Sequence, residues 1–277
     1  MKKIAVSSGK GGTGKTTISV LFSLILSEKY KINLIDCDVE NPNCHIFFKS
    51  RTPKIQKAEV FRPGFDLDKC SFCRKCQQIC QFNCIAVTGE DILFFDQLCH
   101  SCKGCIRICP ENAVFEQEKI IGDIFSSQPS RNIYLDYAVL NIGEARGIPL
   151  IDDLKKNTHD ADFVIYDSPP GAACPMVAAV KNTDYAVLVT EPTAFGLFDL
   201  KIAWKIIDKL NIPAGVVINR SVGDDSMIED FADQVNIPVL FKIPYSKDFA
   251  RQYSKGNIDP NSFPEIKKKI FNLCGKI

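Results

Sequence analysis

The run Gly9-Lys10-Gly11-Gly12-Thr13-Gly14-Lys15-Thr16 constrains this chain more than any other stretch. It follows a short apolar segment, residues 3–8, and precedes residues 15–29, which have the length and apolar periodicity of a helix. Strand, glycine turn and helix in that order are the context in which the spacing G-x-x-x-x-G-K-[ST] reads as a phosphate cradle. Glycines let successive backbone N–H groups turn inward, and the helix N-terminus adds its dipole. By this motif Lys15 reaches the β- and γ-phosphates of a nucleotide, and the Thr16 hydroxyl ligates magnesium. Gly11, Gly12, Thr13, Gly14 and Thr17 complete the nucleotide-binding set.

Further apolar runs end in polar residues at 32–36, 163–167, 185–190, 214–219 and 238–243. Helix-length segments separate most of them, which predicts an α/β fold with a mainly parallel, doubly wound sheet of the P-loop NTPase type. A length of 277 residues with 45% hydrophobic composition is enough for one large domain of this kind and a small satellite. Ligands of open α/β sheets collect at the carboxyl ends of the strands. Two strands deliver carboxylates there. Asp36 and Asp38 alternate onto one side at the end of the second run, suiting one for the metal and one for the attacking water. Asp167, in Phe163-Val164-Ile165-Tyr166-Asp167-Ser168-Pro169-Pro170-Gly171, reads as the carboxylate that holds magnesium through water, and Gly171 as the pivot that senses the γ-phosphate.

Between about Arg62 and Glu118 the alternation stops and an internal repeat begins. Cys70, Cys73, Cys76 and Cys80 recur as Cys99, Cys102, Cys105 and Cys109, and Asn83 recurs as Asn112 at the same offset. Cys-x-x-Cys-x-x-Cys-x-x-x-Cys is the spacing of bacterial two-cluster ferredoxins, in which the fourth cysteine of each run ligates the other run's cluster. The expected sets for two [4Fe–4S] clusters are Cys70, Cys73 and Cys76 with Cys109, and Cys99, Cys102 and Cys105 with Cys80. Zinc also takes Cys-x-x-Cys pairs, but two related four-cysteine runs are an unusual zinc framework. The organisation expected is therefore a P-loop domain at 1–61 and 119–277, with a small α+β ferredoxin-like domain inserted at 62–118. Pro110 follows Cys109, whereas Gln81 follows Cys80, a change that bears on solvent access to the second cluster. Cys84 offers a ninth thiol, but its partner in the repeat is Ala113, which argues for a small packed position. Cys37, Cys44, Cys174 and Cys274 form no Cys-x-x-Cys pair; Cys37 and Cys44 read as packed thiols or as redox groups flanking the switch.

A net charge of +1, from 34 basic and 33 acidic residues, provides no global field for nucleic acid or anionic lipid. The first apolar run is too short for a secretory signal, and no apolar stretch approaches a membrane span. Metal-type cysteine runs need a reducing compartment, so the expected location is the cytoplasm. Near the end, Ile266, Ile270 and Leu273 share a helical face, with Lys267, Lys268 and Lys269 elsewhere; this suits packing on the sheet or a basic membrane-surface helix.

Lys10 turns the phosphate loop into Lys-Gly-Gly-x-Gly-Lys-Thr, and with Asp36, Asp38 and Asp167 the chain resembles the MinD, ParA and Mrp superfamily of deviant-Walker ATPases. The resemblance implies Mg2+-dependent ATP hydrolysis. Lys10 would reach the partner's nucleotide in an ATP-dependent homodimer, or in a heterodimer with a related ATPase. Asp36 would support the magnesium region, Asp38 would orient water, and Asn219 would contact adenine, although an Asn also simply ends a strand. The Cys-x-x-Cys pair on which Mrp-type carriers hold a labile cluster has no counterpart near the C-terminus. The first expectation is nucleotide-gated electron transfer to a redox partner. The alternatives are a metallocofactor or iron–sulfur assembly factor with an assembly partner, and a positioning switch carrying a redox sensor.

Overall fold

The computed structural model describes residues 1–48, 52–157 and 159–277. The first half of the chain contains β1 (Lys2–Ser7), α1 (Lys15–Leu26), β2 (Ile32–Asp36), β3 (Lys54–Phe65), α2 (Lys75–Ile79), β4 (Ile85–Thr88), β5 (Asp91–Phe94), α3 (Gly104–Ile108), β6 (Val114–Ser130) and β7 (Ile133–Leu140). The second half contains α4 (Ile148–Leu154), β8 (Phe163–Asp167), α5 (Cys174–Val180), β9 (Tyr185–Thr190), α6 (Ala194–Lys209), β10 (Ala214–Ser221), α7 (Ser226–Gln234), β11 (Val239–Pro244), α8 (Lys247–Ser254) and α9 (Pro264–Cys274).

Strands β1, β8 and β2 lie at the centre of a nine-stranded sheet of order β11-β10-β9-β1-β8-β2-β7-β6-β3. Every neighbour pair from β11 to β7 is parallel. Such strands are buried on both faces and read as continuous apolar runs, and every residue of β2 and β8 is buried. Period-two alternation divides them between two cores. Ile4, Val6 and Leu34 face one layer with Ile18 and Leu21 of α1 and Ile270 of α9. Ala5 and Ile35 face the other with Leu150, Met176, Leu200 and Ile228 from α4 to α7. The sheet is thus doubly wound, as expected.

Helix α1 ends at Leu26, three residues short of the expected end, and Ser27 donates back to the Leu24 carbonyl at 2.8 Å. Among the described residues no helix is long and apolar enough to cross a membrane. Of the two readings of the last helix, packing holds: Ile266, Ile270 and Cys274 of α9 are buried in the α1 core, and Leu273 is partly buried.

Strands β3, β6 and β7 have no counterpart in the expected series. β7 continues the parallel set, β6 returns antiparallel, and β3 pairs antiparallel with β6 from Lys54↔Ser126 to Phe65↔Val114. This ladder runs through both expected domain limits, since Phe61 faces Glu118 and Arg62 faces Gln117. Beyond Ala58↔Gly122, where β6 carries one extra residue, the two strands leave the sheet as a ribbon past the end of β7. Because β7 is parallel to β2, the ribbon leaves at the sheet's carboxyl edge. Ile121 and Ile124 of β6 still belong to the main core.

At the ribbon's tip, residues 66–113 form a satellite of α2, α3 and the β4–β5 hairpin, with a core of its own that includes Ile85, Val87 and Val114. Its backbone repeats as its sequence does. Left-handed φ angles occur at Phe72, Arg74 and Asn83, and again at Ser101, Lys103 and Asn112, each displaced by the spacing of the cysteines.

If the ribbon roots are part of the main fold, Ile124→Ala should lower its unfolding free energy by about 2–5 kcal/mol. Chemical denaturation followed by circular dichroism measures this.

Candidate functional site

Two loops and three strand ends enclose a cavity of about 380 Å³ at the carboxyl edge. Gly12 (φ +79°) and Gly14 (φ +97°) take left-handed conformations that let the loop after β1 curl over the start of α1. Lys15, the first residue of α1, is buried with its Nζ 3.4 Å from the Lys10 carbonyl. Burial pulls its pKa down, opposed by the charges of Asp167, Asp38 and Asp36. Gly11, Thr16, Thr17 and Asp38 line the same cavity, and Thr13 is buried behind it.

Asp167 organises the base of the cavity. Thr16 Oγ1 donates to its Oδ2 at 2.6 Å and Ser19 Oγ to its Oδ1 at 2.8 Å. Asp36 stands beside it, fully buried, and is spent on the local backbone: Oδ2 accepts the N–H groups of Asn43 (2.8 Å) and Cys44 (2.9 Å), and Oδ1 that of Asp38 (3.1 Å). Asp36 therefore shapes segment 37–44, while Asp38 is the carboxylate that faces the cavity. Burial, and then the charge of Asp167, push the Asp36 carboxyl up to about 7. Burial raises Asp38 and Asp167 as well. Gly171 (φ +86°) bends the segment after β8, whose Ser168 and Pro170 also line the cavity.

Asn219 is the residue that closes the loop from the β10 side. It ends the buried part of β10, lines the cavity, and donates its side-chain N–H to the Thr13 carbonyl at 2.7 Å, fastening the loop. Lys10 lies 4.0 Å from Glu191, which also holds Arg220 at 2.5 Å. Sequence reasoning missed the opposite wall, Tyr245, Phe249 and Tyr253, where the Tyr253 hydroxyl meets Thr17. The i, i+4 spacing of Phe249 and Tyr253 was the available signal. Cys37 and Cys44 are both fully buried in the two cores; the Cys44 thiol donates to Asp167 Oδ2 at 3.4 Å.

The satellite has two further cavities. One collects Cys70, Cys73, Cys76 and Cys109, and the other Cys80, Cys99, Cys102 and Cys105. These are the two crossed sets. The arrangement follows from the repeat: each run curls through two left-handed residues around its first three thiols, and the short helix after it sends the fourth towards the other run. Backbone N–H groups are aimed at sulfur, from Phe72 to Cys70 Sγ at 3.4 Å and from Ser101 to Cys99 Sγ at 3.5 Å. Burial pushes the Cys105 thiol up to about 11. Burial also works upward on Cys80, but the Cys84 thiol and the backbone N–H groups of Cys84, Phe82 and Asn83 bring it below the usual range. Four convergent thiols and N–H donors to sulfur are the donor set of a thiolate-bound iron–sulfur cluster, and all thirteen cysteines are free. Cys84 is buried as the repeat argued, but its sulfur faces the second cavity, 3.1 Å from Cys80 Sγ.

The sequence profile of the CobQ/CobB/MinD/ParA nucleotide binding domain matches residues 4–259. The chain belongs to this family. An uncharacterized protein of Methanocaldococcus jannaschii is 33% identical over 269 residues, covering 92% of this chain and 90% of its own length. An iron-sulfur cluster carrier protein of Aquifex aeolicus is 23% identical over 98% of this chain and 65% of its own length. Among solved structures, the cell division ATPase MinD of Pyrococcus furiosus superposes with a TM-score of 0.60 at 19% identity, covering 98% of this chain and 99% of that one. That likeness establishes the MinD-like P-loop fold.

In a MinD/ParA-family site without bound metal, the pair Asp36 and Asp167 retains a proton that an unfolded chain would release. An acid whose folded pKa lies above its unfolded value of 3.8 contributes stability below about pH 4, and the contribution fades as pH rises through about 7. Stability without nucleotide and magnesium should therefore fall between pH 4 and 7, by at most about 1.4 kcal/mol per pH unit for one proton. Asp36→Asn, which has no proton to lose, should flatten that slope in urea titrations across the pH range.

Proposed function

We propose that this chain is an ATP-hydrolysing iron–sulfur protein of metallocofactor assembly, in which a nucleotide-driven dimer switch gates electron delivery from two resident [4Fe–4S] clusters. The observation that carries the reading is the crossed grouping of eight thiols, four to a cavity, on a ribbon that leaves the same sheet edge as the nucleotide cavity. The relative named as an iron–sulfur cluster carrier supports assembly over unrelated electron transfer, which the sequence alone had put first. Complete four-thiol sets favour clusters that stay, and so serve as reductant rather than cargo.

In this reading the loop's N–H groups and Lys15 hold the triphosphate, Thr16 and Asp167 hold the magnesium region, and Asp38 orients the attacking water. Magnesium would neutralise charge developing on the phosphates, and the clusters would supply one-electron chemistry. Lys10 exchanges its weak 4.0 Å contact with Glu191 for the nucleotide of a second subunit, a copy of this chain or a related one.

Coupling has a short route. The Val39 carbonyl, next to Asp38, accepts the Leu140 N–H at 2.9 Å, and the loop after β7 carries Arg146, whose Nη1 donates to the Cys99 carbonyl at 3.1 Å. Arg62 and Lys119 brace that loop and the satellite together through Asp96 and Glu144. A displacement of Asp38 on nucleotide binding reaches the backbone of a cluster ligand through two hydrogen bonds.

A second reading, electron donation to an enzyme outside assembly, is favoured by the lack of a Cys-x-x-Cys pair outside the two runs. Anaerobic purification followed by EPR of the reduced protein, with and without Mg-ATP, tests the common part. Two interacting [4Fe–4S] signals that change with nucleotide are expected, and Arg146→Ala should keep both clusters and ATP binding while losing the change. An unchanged spectrum with ATP would overturn the gating. ATP-linked movement of iron into an apo-protein would make the clusters cargo.

A further inference from the structure

The two cysteine cavities are related by the repeat but are not equal. Three lining positions that correspond in the repeat set them apart. Ser71 and Glu111 border the first cavity; their counterparts at the second are His100 and Phe82, stacked at 3.5 Å between ring centroids. Ala113 borders the first, where the second has Cys84. The second cavity therefore carries a stacked ring pair and five thiols, and the first holds four.

Cys84 is not merely nearby. Its side chain is 3% exposed, and its sulfur is 3.1 Å from that of Cys80. A metal–thiolate bond is about 2.3 Å long, taking zinc as the measure, so two sulfurs this close can address the same metal ion by rotation about one side-chain bond. Asn83, left-handed at φ +52°, turns the chain back so that Cys84 enters the cavity that Cys80 serves. The same turn at Asn112 brings only the methyl group of Ala113 to the first cavity.

We propose that Cys84 is a reserve ligand of the second cluster, able to replace Cys80 at the corner that Cys80 holds; this rests on the reading of the satellite as a two-cluster unit. In the exchange the iron–sulfur bond to Cys80 breaks, the bond to Cys84 forms, and the Cys84 thiol proton passes to the released Cys80 sulfur. No electron is gained or lost and no other reactant is needed. The second cluster keeps a fourth thiolate when one is displaced, and the first cluster has no such substitute.

The test uses the full-length protein purified anaerobically, with iron counted and clusters typed by EPR and Mössbauer spectroscopy. Wild type should hold two four-iron clusters; if it holds none, the two-cluster reading itself fails and the reserve role falls with it. Cys109→Ala should convert the first cluster to a three-iron form, whereas Cys80→Ala should keep two four-iron clusters. Adding Cys84→Ala to Cys80→Ala should then produce a three-iron form at the second site. A three-iron form in Cys80→Ala alone overturns the proposal. If Cys80→Ala does not fold, the decision passes to Ala113→Cys in the Cys109→Ala background: restoring a four-iron first cluster supports a thiol at this turn as a fourth ligand, and a persistent three-iron form counts against it.

Discussion

Everything that distinguishes this molecule from a plain MinD-like domain hangs on the pairing of β3 with β6. A satellite joined by flexible linkers would sample many orientations relative to the phosphate loop. Here two strands begin inside the main sheet, with Ile121, Ile124 and Ala58 buried in its core, and continue without interruption into the satellite. The extra residue opposite Ala58 lets the ribbon turn away where the main sheet ends. Gly122 at that point leaves room for the neighbouring strand, since a Cβ would run into the Val139 carbonyl. The ribbon fixes which edge of the sheet the thiols occupy, and that edge is the one where the strands deliver Asp36, Asp38 and Asp167.

The nucleotide site depends in turn on buried carboxylates whose partners come from elsewhere in sequence. Thr16 and Ser19 hold Asp167 across 151 and 148 positions, and Asn219 holds Thr13 across 206. These contacts exist only because parallel strands bring the ends of β1, β2, β8 and β10 to one edge. Asp36 has a different task from its neighbour: by accepting three backbone N–H groups it makes the turn that places Cys44 against Asp167, while Asp38 lines the cavity.

The parallel body was legible because its strands are buried on both faces, which leaves continuous apolar runs with little ambiguity. β3 was not, because its first four residues are exposed: Lys54-Ile55-Gln56-Lys57 carries no apolar alternation, and only pairing with β6 makes it a strand. The phosphate loop, Asp167 and the cysteine spacing are local patterns tied to chemistry, and reasoning from residues reaches them. Of the aromatic wall, Phe249 and Tyr253 belong to a surface helix with no buried residue and Tyr245 to the link before it, so its part in the cavity depends on where β11 delivers α8. Cys84 shows the limit of arguing from a repeat. Its counterpart Ala113 correctly indicated a buried position, but burial in the wall of a cavity leaves a thiol facing inward, and the repeat carried no sign of that.

The same asymmetry bears on how the two halves communicate. Arg146 donates to the carbonyl of Cys99, and Arg62 donates to Ser101, whose own N–H is aimed at Cys99 Sγ. No comparable contact from the main domain to Cys70 or its neighbours occurs among the described residues. The route from Asp38 therefore ends at the second cavity, the one with the stacked ring pair and the fifth thiol. Under the proposed gating, this is the thiol set for which a spare ligand matters, because a corner lost during the movement would be held again before its iron escapes. The first cavity, bordered by Ser71 and Glu111, lies out of reach of that loop. In the proposed gating, the second site, and not the first, is the one that the nucleotide's movement reaches.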